Sequence, residues 1–199
     1  MIKHIKYLIE DTINFNPVDY DEDDEIIINN QDISNVIYKY RPTTYIELKT
    51  IVNNLLEKGI TDLNCIDVSA ITDFSYLFAY KKGYKDKNET KSTIELYELD
   101  ISDWDVSNGI NFSNMFYQQN MLHKCDLSKW DVSNGIDFSF MFNGCSKLKT
   151  DISDWDFSNA ETLKEMLIGC HYIKHNVYNL DKTNAKDYLS YFPNTKEEL

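Results

Sequence analysis

The sequence predicts an α/β fold: a leucine-rich-repeat-like solenoid with one short parallel strand and one short helix per coil, and an N-terminal helical cap. The first observation behind this prediction is a fixed period. Residues 100–116 (DISDWDVSNGINFSNMF) return 26 residues later at 126–142, and again after 25 more at 151–167. Such a period is typical of repeat proteins, in which each unit buries its apolar face against its neighbours.

The second observation is the pattern within one unit. Residues 122–130 (LHKCDLSKW) follow the leucine-rich-repeat strand pattern, with Cys125 as the second apolar position. Alternation along a strand would point Cys125 and Leu127 inward, and Asp126 and Ser128 outward. The segment that follows spaces its apolar residues three and four apart, which predicts the short helix.

The period also predicts the domain organisation. We expect a helical and acidic capping region at 1–59 and the repeat solenoid at 60–199, with about five coils and an insertion at 79–98. The clearest helix is predicted at 43–58, where Thr44 and Glu47 form a capping box before the apolar stripe and Gly59 suits the stop. The first and last coils are imperfect, as terminal repeats usually are.

The N-terminal region holds two weaker signals. Residues 2–15 have helical apolar spacing, and without a long apolar core they do not resemble a signal peptide, so we expect an intracellular protein. The acidic run at 19–25 starts like a calcium loop. Its sixth position is Asp24 instead of glycine and its twelfth is Asn30 instead of glutamate, so a solvated loop is the better prediction.

The charge, motifs and cysteines of the sequence limit the classes of function that are expected. A net charge of −13 argues against nucleic acid as a direct ligand and favours a basic protein partner, or solubility alone. The sequence contains no catalytic or nucleotide-binding motif, and His171 and His175 are a weak metal pair, so we expect no enzyme, no cofactor and no metal. Four cysteines without metal-ligand spacing predict free thiols, although Cys145 and Cys170 stand one period apart and could bridge under oxidation.

Three rows of identical residues follow from the period. Trp104, Trp130 and Trp155 form a predicted core row. A row of aspartates that includes Asp105 and Asp131 is predicted to accept N–H groups in turns. A third row lies on the predicted exposed strand face, where nothing in the local turn requires an aspartate.

That third row and the lysines of the insertion are the candidate binding residues. The open alternative for the row is a merely solvated face. The predicted partner-binding residues are Asp100, Ser102, Asp126, Ser128, Asp151 and Ser153 on the face, and Lys81, Lys82, Lys85 and Lys87 in the insertion.

The repeats resemble the BspA-like leucine-rich-repeat family, a bacterial surface-protein repeat. The motifs that carry the resemblance are DISDWDVSN, DLSKWDVSN and MFNGC at 141–145, with a similar lead-in from residue 40, over about residues 40–192. The resemblance implies a solenoid used for binding, often at the cell surface, and no catalytic residues. This chain differs in its lysine-bearing insertion and in Gly109 and Gly135, where the family usually has valine.

Two functions are therefore expected from the sequence. The first is a non-enzymatic protein-binding module of phage or mobile-element type, acting in the cytoplasm as an inhibitor or adaptor. It would engage a basic protein surface, such as the nucleic-acid channel of a CRISPR nuclease, and bind neither nucleic acid nor membrane directly. The alternative is a bacterial surface adhesin of the BspA-like type.

Overall fold

The structure is a computed structural model that describes residues 38–80 and 94–175. Several predictions fall outside these residues and stay predictions. They concern the helix at 2–15, the acidic run at 19–25, the insertion lysines between 81 and 91, and the last repeat at 180–192. The predicted domain boundary after residue 59 also stays a prediction.

One helix, α1, forms at Tyr45–Glu57, as the sequence predicted. The capping box is present: the Glu47 N–H donates to the Thr44 hydroxyl at 3.3 Å, and the Thr44 N–H donates to the Glu47 carboxylate at 3.2 Å. The chain leaves the helix through Gly59, whose φ of +76° is the left-handed conformation that favours glycine. The apolar stripe of α1 packs into the same hydrophobic core as the repeats.

The predicted fold class is wrong. The described part of the repeats contains no helix and no strand, so the strand-plus-helix coil of a leucine-rich-repeat-like solenoid is absent there. The repeats consist of consecutive turns, and neighbouring repeats meet at isolated parallel bridges. Repeats 1 to 4 are numbered here from Asp62, Asp100, Asp126 and Asp151. The bridges pair Tyr40 with Ile66, Asp62 with Asp100, Asp73 with Asn111, Glu98 with Lys124, Asn111 with Asp137, Lys124 with Lys149, Asp137 with Thr162, and Asp151 with Lys174.

The segment predicted as a helix folds into turns because its N–H groups bond in two directions. The Phe138 and Phe140 N–H groups donate to repeat 4, at Thr162 O (3.0 Å) and Lys164 O (2.8 Å), whereas the Met141 N–H donates to Phe138 O (3.1 Å) in its own repeat. An α-helix requires consecutive N–H groups to bond within their own segment. Phe140 also has a φ of +58°, which no right-handed helix accommodates.

The core between the turns is aromatic. Phenylalanine rings at equivalent positions of successive repeats stack nearly parallel, and such pairs add about 0.5–1.5 kcal/mol each beyond the area they bury. The centroid distances are 5.4 Å for Phe74–Phe112, 5.2 Å for Phe112–Phe138, 5.4 Å for Phe78–Phe116 and 5.5 Å for Phe116–Phe142.

The tryptophan row is buried, as predicted from the sequence. Each indole N–H donates to a backbone carbonyl of the preceding repeat, so each tryptophan both fills the core and ties two repeats together. These bonds join Trp104 to Leu63 O at 2.9 Å, Trp130 to Ile101 O at 3.1 Å, and Trp155 to Leu127 O at 3.0 Å.

Candidate functional site

The row of aspartates that begins repeats 2 to 4 has a local structural role. The Asp100 carboxylate accepts the N–H of Ser102 at 3.2 Å and its hydroxyl at 2.7 Å. Asp126 and Asp151 each accept the N–H of the serine two residues on, at 3.0 Å. These aspartates therefore have a local role that the sequence prediction missed, because their side chains close turns.

The same side-chain turn occurs three times in each repeat. The first turn row is the one just described, and the second confirms the turn role predicted from the sequence. The first turn row is Asp62, Asp100, Asp126 and Asp151; the second is Asp67, Asp105, Asp131 and Asp156; the third is Asp73, Asn111, Asp137 and Thr162.

The surface between the first two turn rows is strongly acidic. We call it the acidic face and define it by residues 100–105, 126–131 and 151–156. The sequence-based prediction did not include Asp103 and Asp154, which are exposed between the two rows. The one sequence feature that could have identified them is the repeat period. The acidic face carries one lysine, Lys129, and eight exposed carboxylates: Asp100, Asp103, Asp105, Asp126, Asp131, Asp151, Asp154 and Asp156.

Hydrogen bonds also lower the pKa of four of these eight carboxylates. Bonds from the following serine lower the pKa of Asp126, Asp131 and Asp151. At Asp100, burial raises the pKa, but hydrogen bonds from Asn64 and from the following serine outweigh it, and the net pKa is also lowered. At neutral pH these four carboxylates are therefore charged, and the turn hydrogen bonds fix their positions.

A row of lysines borders the acidic face. Lys124, Lys149 and Lys174 stand 25 residues apart and meet their neighbours at the parallel bridges. Lys124 Nζ lies 3.4 Å from a Glu98 carboxylate oxygen, and Lys174 Nζ lies 3.9 Å from an Asp151 oxygen. These side chains are exposed, and such pairs contribute little to stability. The sequence shows this row through its spacing, but its meaning depends on the bridges.

The other predicted binding residues are three serines on the acidic face and four lysines of the insertion. Ser102, Ser128 and Ser153 lie on the acidic face and serve the turns. Lys81, Lys82, Lys85 and Lys87 lie outside the described residues, so their part in binding stays a prediction.

A second surface feature is an open groove of about 340 Å³ between the second and third turn rows. Ile110 and Ile136 lie along it, beside the amides of Asn108 and Asn134. The Asn108 amide donates to Ser69 O at 2.9 Å, and its counterparts do the same in later repeats. The groove contains no acid, base or nucleophile set from which a reaction could be built.

Among residues 38–80 and 94–175, no group of three His, Cys, Asp or Glu side chains could hold a metal ion. In the same residues no helix is long and apolar enough to span a membrane.

All four cysteines are free thiols. The Cys145 sulfur donates to Phe116 O and the Cys170 sulfur donates to Phe142 O, each at 3.0 Å. Burial raises the pKa of Cys125 and Cys145, and it raises the pKa of Cys170 to about 12. Because the thiolate is the nucleophile, the buried thiols are held in their unreactive form.

We expect four thiols to react with a disulfide reagent in denatured, unreduced protein. In the folded protein, Cys125 and Cys145 should react at least about tenfold more slowly than Cys65, because they are buried whereas Cys65 is only half-buried. Thiol titration with mass mapping checks both statements. Fewer than four thiols after denaturation, or Cys145 reacting first, would contradict them.

Comparison with known proteins assigns the chain to a family but indicates no activity. A family model described as "Mycoplasma protein of unknown function, DUF285" matches residues 86–198. No curated protein and no solved structure matches the chain. Since the matched segment takes in more than half of the 199 residues, the chain belongs to the family of Mycoplasma proteins of unknown function, DUF285.

Proposed function

We propose that this protein is a non-enzymatic binding module whose acidic face engages a basic surface of a protein partner. The observation that carries the proposal is the acidic face itself: eight exposed carboxylates and a single lysine on three successive repeats. Clustered charge of one sign attracts an oppositely charged partner and speeds its encounter.

The turns strengthen this proposal. A carboxylate that already accepts hydrogen bonds from its own serine loses little side-chain freedom when a partner binds. Its second oxygen can accept from a lysine or arginine, which is a charge-assisted bond. The acidic face thus offers a partner a rigid array of acceptors on a rigid core.

A nucleic-acid channel is one basic surface that such an array fits, since the channel is built to attract phosphate charge. We therefore propose an intracellular inhibitor or adaptor of phage or mobile-element type, with a CRISPR nuclease as one possible target class. The net charge of −13 and the four free thiols support a partner of this kind and a reducing compartment.

The resemblance to BspA-like repeats supports a second candidate, a binding protein of the bacterial surface. The repeat motifs at 100–108 and 126–134 favour it. Fractionation of the source cell distinguishes the two: protein exposed to an external protease on intact cells supports the surface role, and protein protected from it supports the intracellular one.

The test of the acidic face is a triple variant, Asp100→Asn, Asp126→Asn and Asp151→Asn. Asparagine can keep the turn, because Asn111 accepts the Ser113 N–H at 3.0 Å in the third turn row. The variant therefore removes charge and leaves the fold. With a partner recovered by affinity purification, we expect a slower association rate and a weaker salt dependence of that rate.

A charge-matched pair of double variants controls for net charge. Asp126→Asn with Asp151→Asn removes two charges from the acidic face, whereas Asp73→Asn with Asp137→Asn removes two from the third turn row. Only the first pair should slow association markedly. Equal effects from both pairs, or wild-type association by the triple variant at low and high salt, would show that the face is merely solvated.

A further inference from the structure

Gln119 is buried completely, and its amide bonds to three backbone groups on both sides of residues 81–93, which form the central part of the insertion. Its nitrogen donates to Phe78 O at 2.7 Å and to Ile94 O at 2.8 Å, and its oxygen accepts the Leu96 N–H at 2.9 Å. Phe78 precedes residues 81–93 and Ile94 follows them. We infer that Gln119 is a positioning residue that fixes both ends of this lysine-bearing segment against repeat 2.

The backbone bonds of the described residues show where the Gln119 amide acts. Before residues 81–93, the last direct bond between described residues of repeats 1 and 2 runs from the Tyr80 N–H to Tyr117 O at 2.7 Å. After them, the next such bond runs from the His123 N–H to Tyr97 O at 3.0 Å. The Gln119 amide bonds to Phe78 beside the first of these points, and to Ile94 and Leu96 just before the second. Among the described residues it therefore adds side-chain bonds on both sides of residues 81–93.

The equivalent positions in repeats 3 and 4 show what is special about glutamine. Cys145 and Cys170 occupy this position, and each sulfur donates to the carbonyl of a phenylalanine in the preceding repeat, as the Gln119 nitrogen does. Glutamine has a longer side chain and a second polar atom, and it uses them for the two bonds to Ile94 and Leu96.

A second side chain holds the entry to the insertion. Lys49 on α1 extends its ammonium to the carbonyls of Tyr76 and Leu77, and its burial lowers its pKa to about 8. Lys49 and Gln119 together bond to three successive carbonyls, at residues 76, 77 and 78. The segment with Lys81, Lys82, Lys85 and Lys87 thus starts and ends at fixed points. The claim that Gln119 affects partner selectivity rests on the proposed function. The claim that Gln119 positions the two ends of the lysine-bearing segment does not.

The test is Gln119→Cys, which recreates the residue of repeats 3 and 4. The cysteine should keep the bond to Phe78 O and lose those to Ile94 and Leu96. Amide hydrogen exchange by NMR then measures the Leu96 N–H against the Leu99 N–H, which donates to Lys124 O at 3.0 Å. We expect Leu96 exchange to rise about tenfold while Leu99 exchange stays within about twofold, since the lost hydrogen bond is local.

The matched control is Cys145→Ala, one repeat later in the same position. It removes the bond to Phe116 O but touches neither end of the insertion. Any general loss of stability should change Leu96 and Leu99 exchange by one common factor in this variant. If Gln119→Cys also changed both amides by one common factor, or left Leu96 unchanged, the positioning role would be wrong.

Gln119→Glu gives an independent readout if the cysteine variant folds poorly. A buried carboxylate facing Phe78 O and Ile94 O has no proton to donate, whereas the protonated acid has one. Burial and these carbonyls raise the folded pKa above the unfolded one, so the stability of this variant should fall as pH rises through the folded pKa. The protection of the Leu96 amide relative to that of Leu99 should fall over the same pH range. A pH profile equal to that of wild type would overturn the assignment.

Binding separates this inference from the proposed function. If Gln119→Cys frees Leu96 but binding to the purified partner is unchanged, the positioning role stands and the lysine segment has no part in recognition. If Leu96 does not change, the inference fails whatever the partner does.

Discussion

Replacing Trp130 by alanine is expected to lower the free energy of unfolding by about 3–5 kcal/mol, the range for large-to-small changes in a packed core. Trp130 is 4% exposed and its ring lies parallel to Trp155, with 6.3 Å between centroids. Alanine leaves a cavity in the middle repeat and removes the indole donor from Ile101 O. Ile101 O keeps the Trp104 N–H as a partner at 3.2 Å, so the lost indole hydrogen bond itself accounts for about 0.5–1.5 kcal/mol. Denaturant unfolding of both proteins measures the difference.

Trp130→Phe separates the two contributions. Phenylalanine keeps an aromatic ring against Trp155 but has no N–H for Ile101 O, so it should lose less than alanine and more than a surface substitution. Trp155→Phe repeats the comparison with Leu127 O. A thermal melt of Trp130→Ala that matches wild type would show that the tryptophan row does not hold the repeats together.

The sequence could predict the period and the core but not the local backbone. The row of tryptophans and the spacing of Phe138, Met141 and Phe142 correctly marked buried positions. The same spacing suggested a helix, because a chain of turns that bond three residues back also places apolar residues three and four apart. The decisive residue is Phe140, whose left-handed backbone could not be read from a bulky aromatic side chain.

Part of the candidate site could also be predicted from the sequence. The pair aspartate-x-serine stands at 100–102 and again at 105–107, which is the signature of a side-chain turn, and it shows that both rows serve the fold. A carboxylate that closes a turn can also bind a partner, since each carboxylate has a second oxygen. Gln119 carried no such signal. Its function depends on which carbonyls lie beside it, and one chain's sequence does not record contacts between residues 25 and 41 positions apart.

Gly109 and Gly135 should be among the small residues that are most sensitive to substitution. A Cβ placed on Gly135 would lie 2.2 Å from Phe138 Cζ and 3.0 Å from Val132 O. Real carbon atoms do not approach so closely, so either the ring leaves its stack or the backbone shifts. We expect Gly135→Ala to cost about 3 kcal/mol or more, and Gly135→Val to prevent folding, both measured by denaturant unfolding. Gly59→Ala is the control: no atom lies within 4 Å of that Cβ, so the left-handed backbone alone should cost about 1 kcal/mol.

Repeat 4 supplies the rescue, because it has Ala160 and Leu163 where repeat 3 has Gly135 and Phe138. Phe138→Leu alone loses the ring stack on Phe112, with its 5.2 Å centroid distance. Combined with Gly135→Ala it also removes the clash, so the double variant should be more stable than the two single losses predict. We expect a coupling energy of about 1–3 kcal/mol in the double-mutant cycle, because the two residues are in direct contact. Losses that simply add would mean that the Phe138 ring does not lie over Gly135, and that some other feature of the turn requires glycine there.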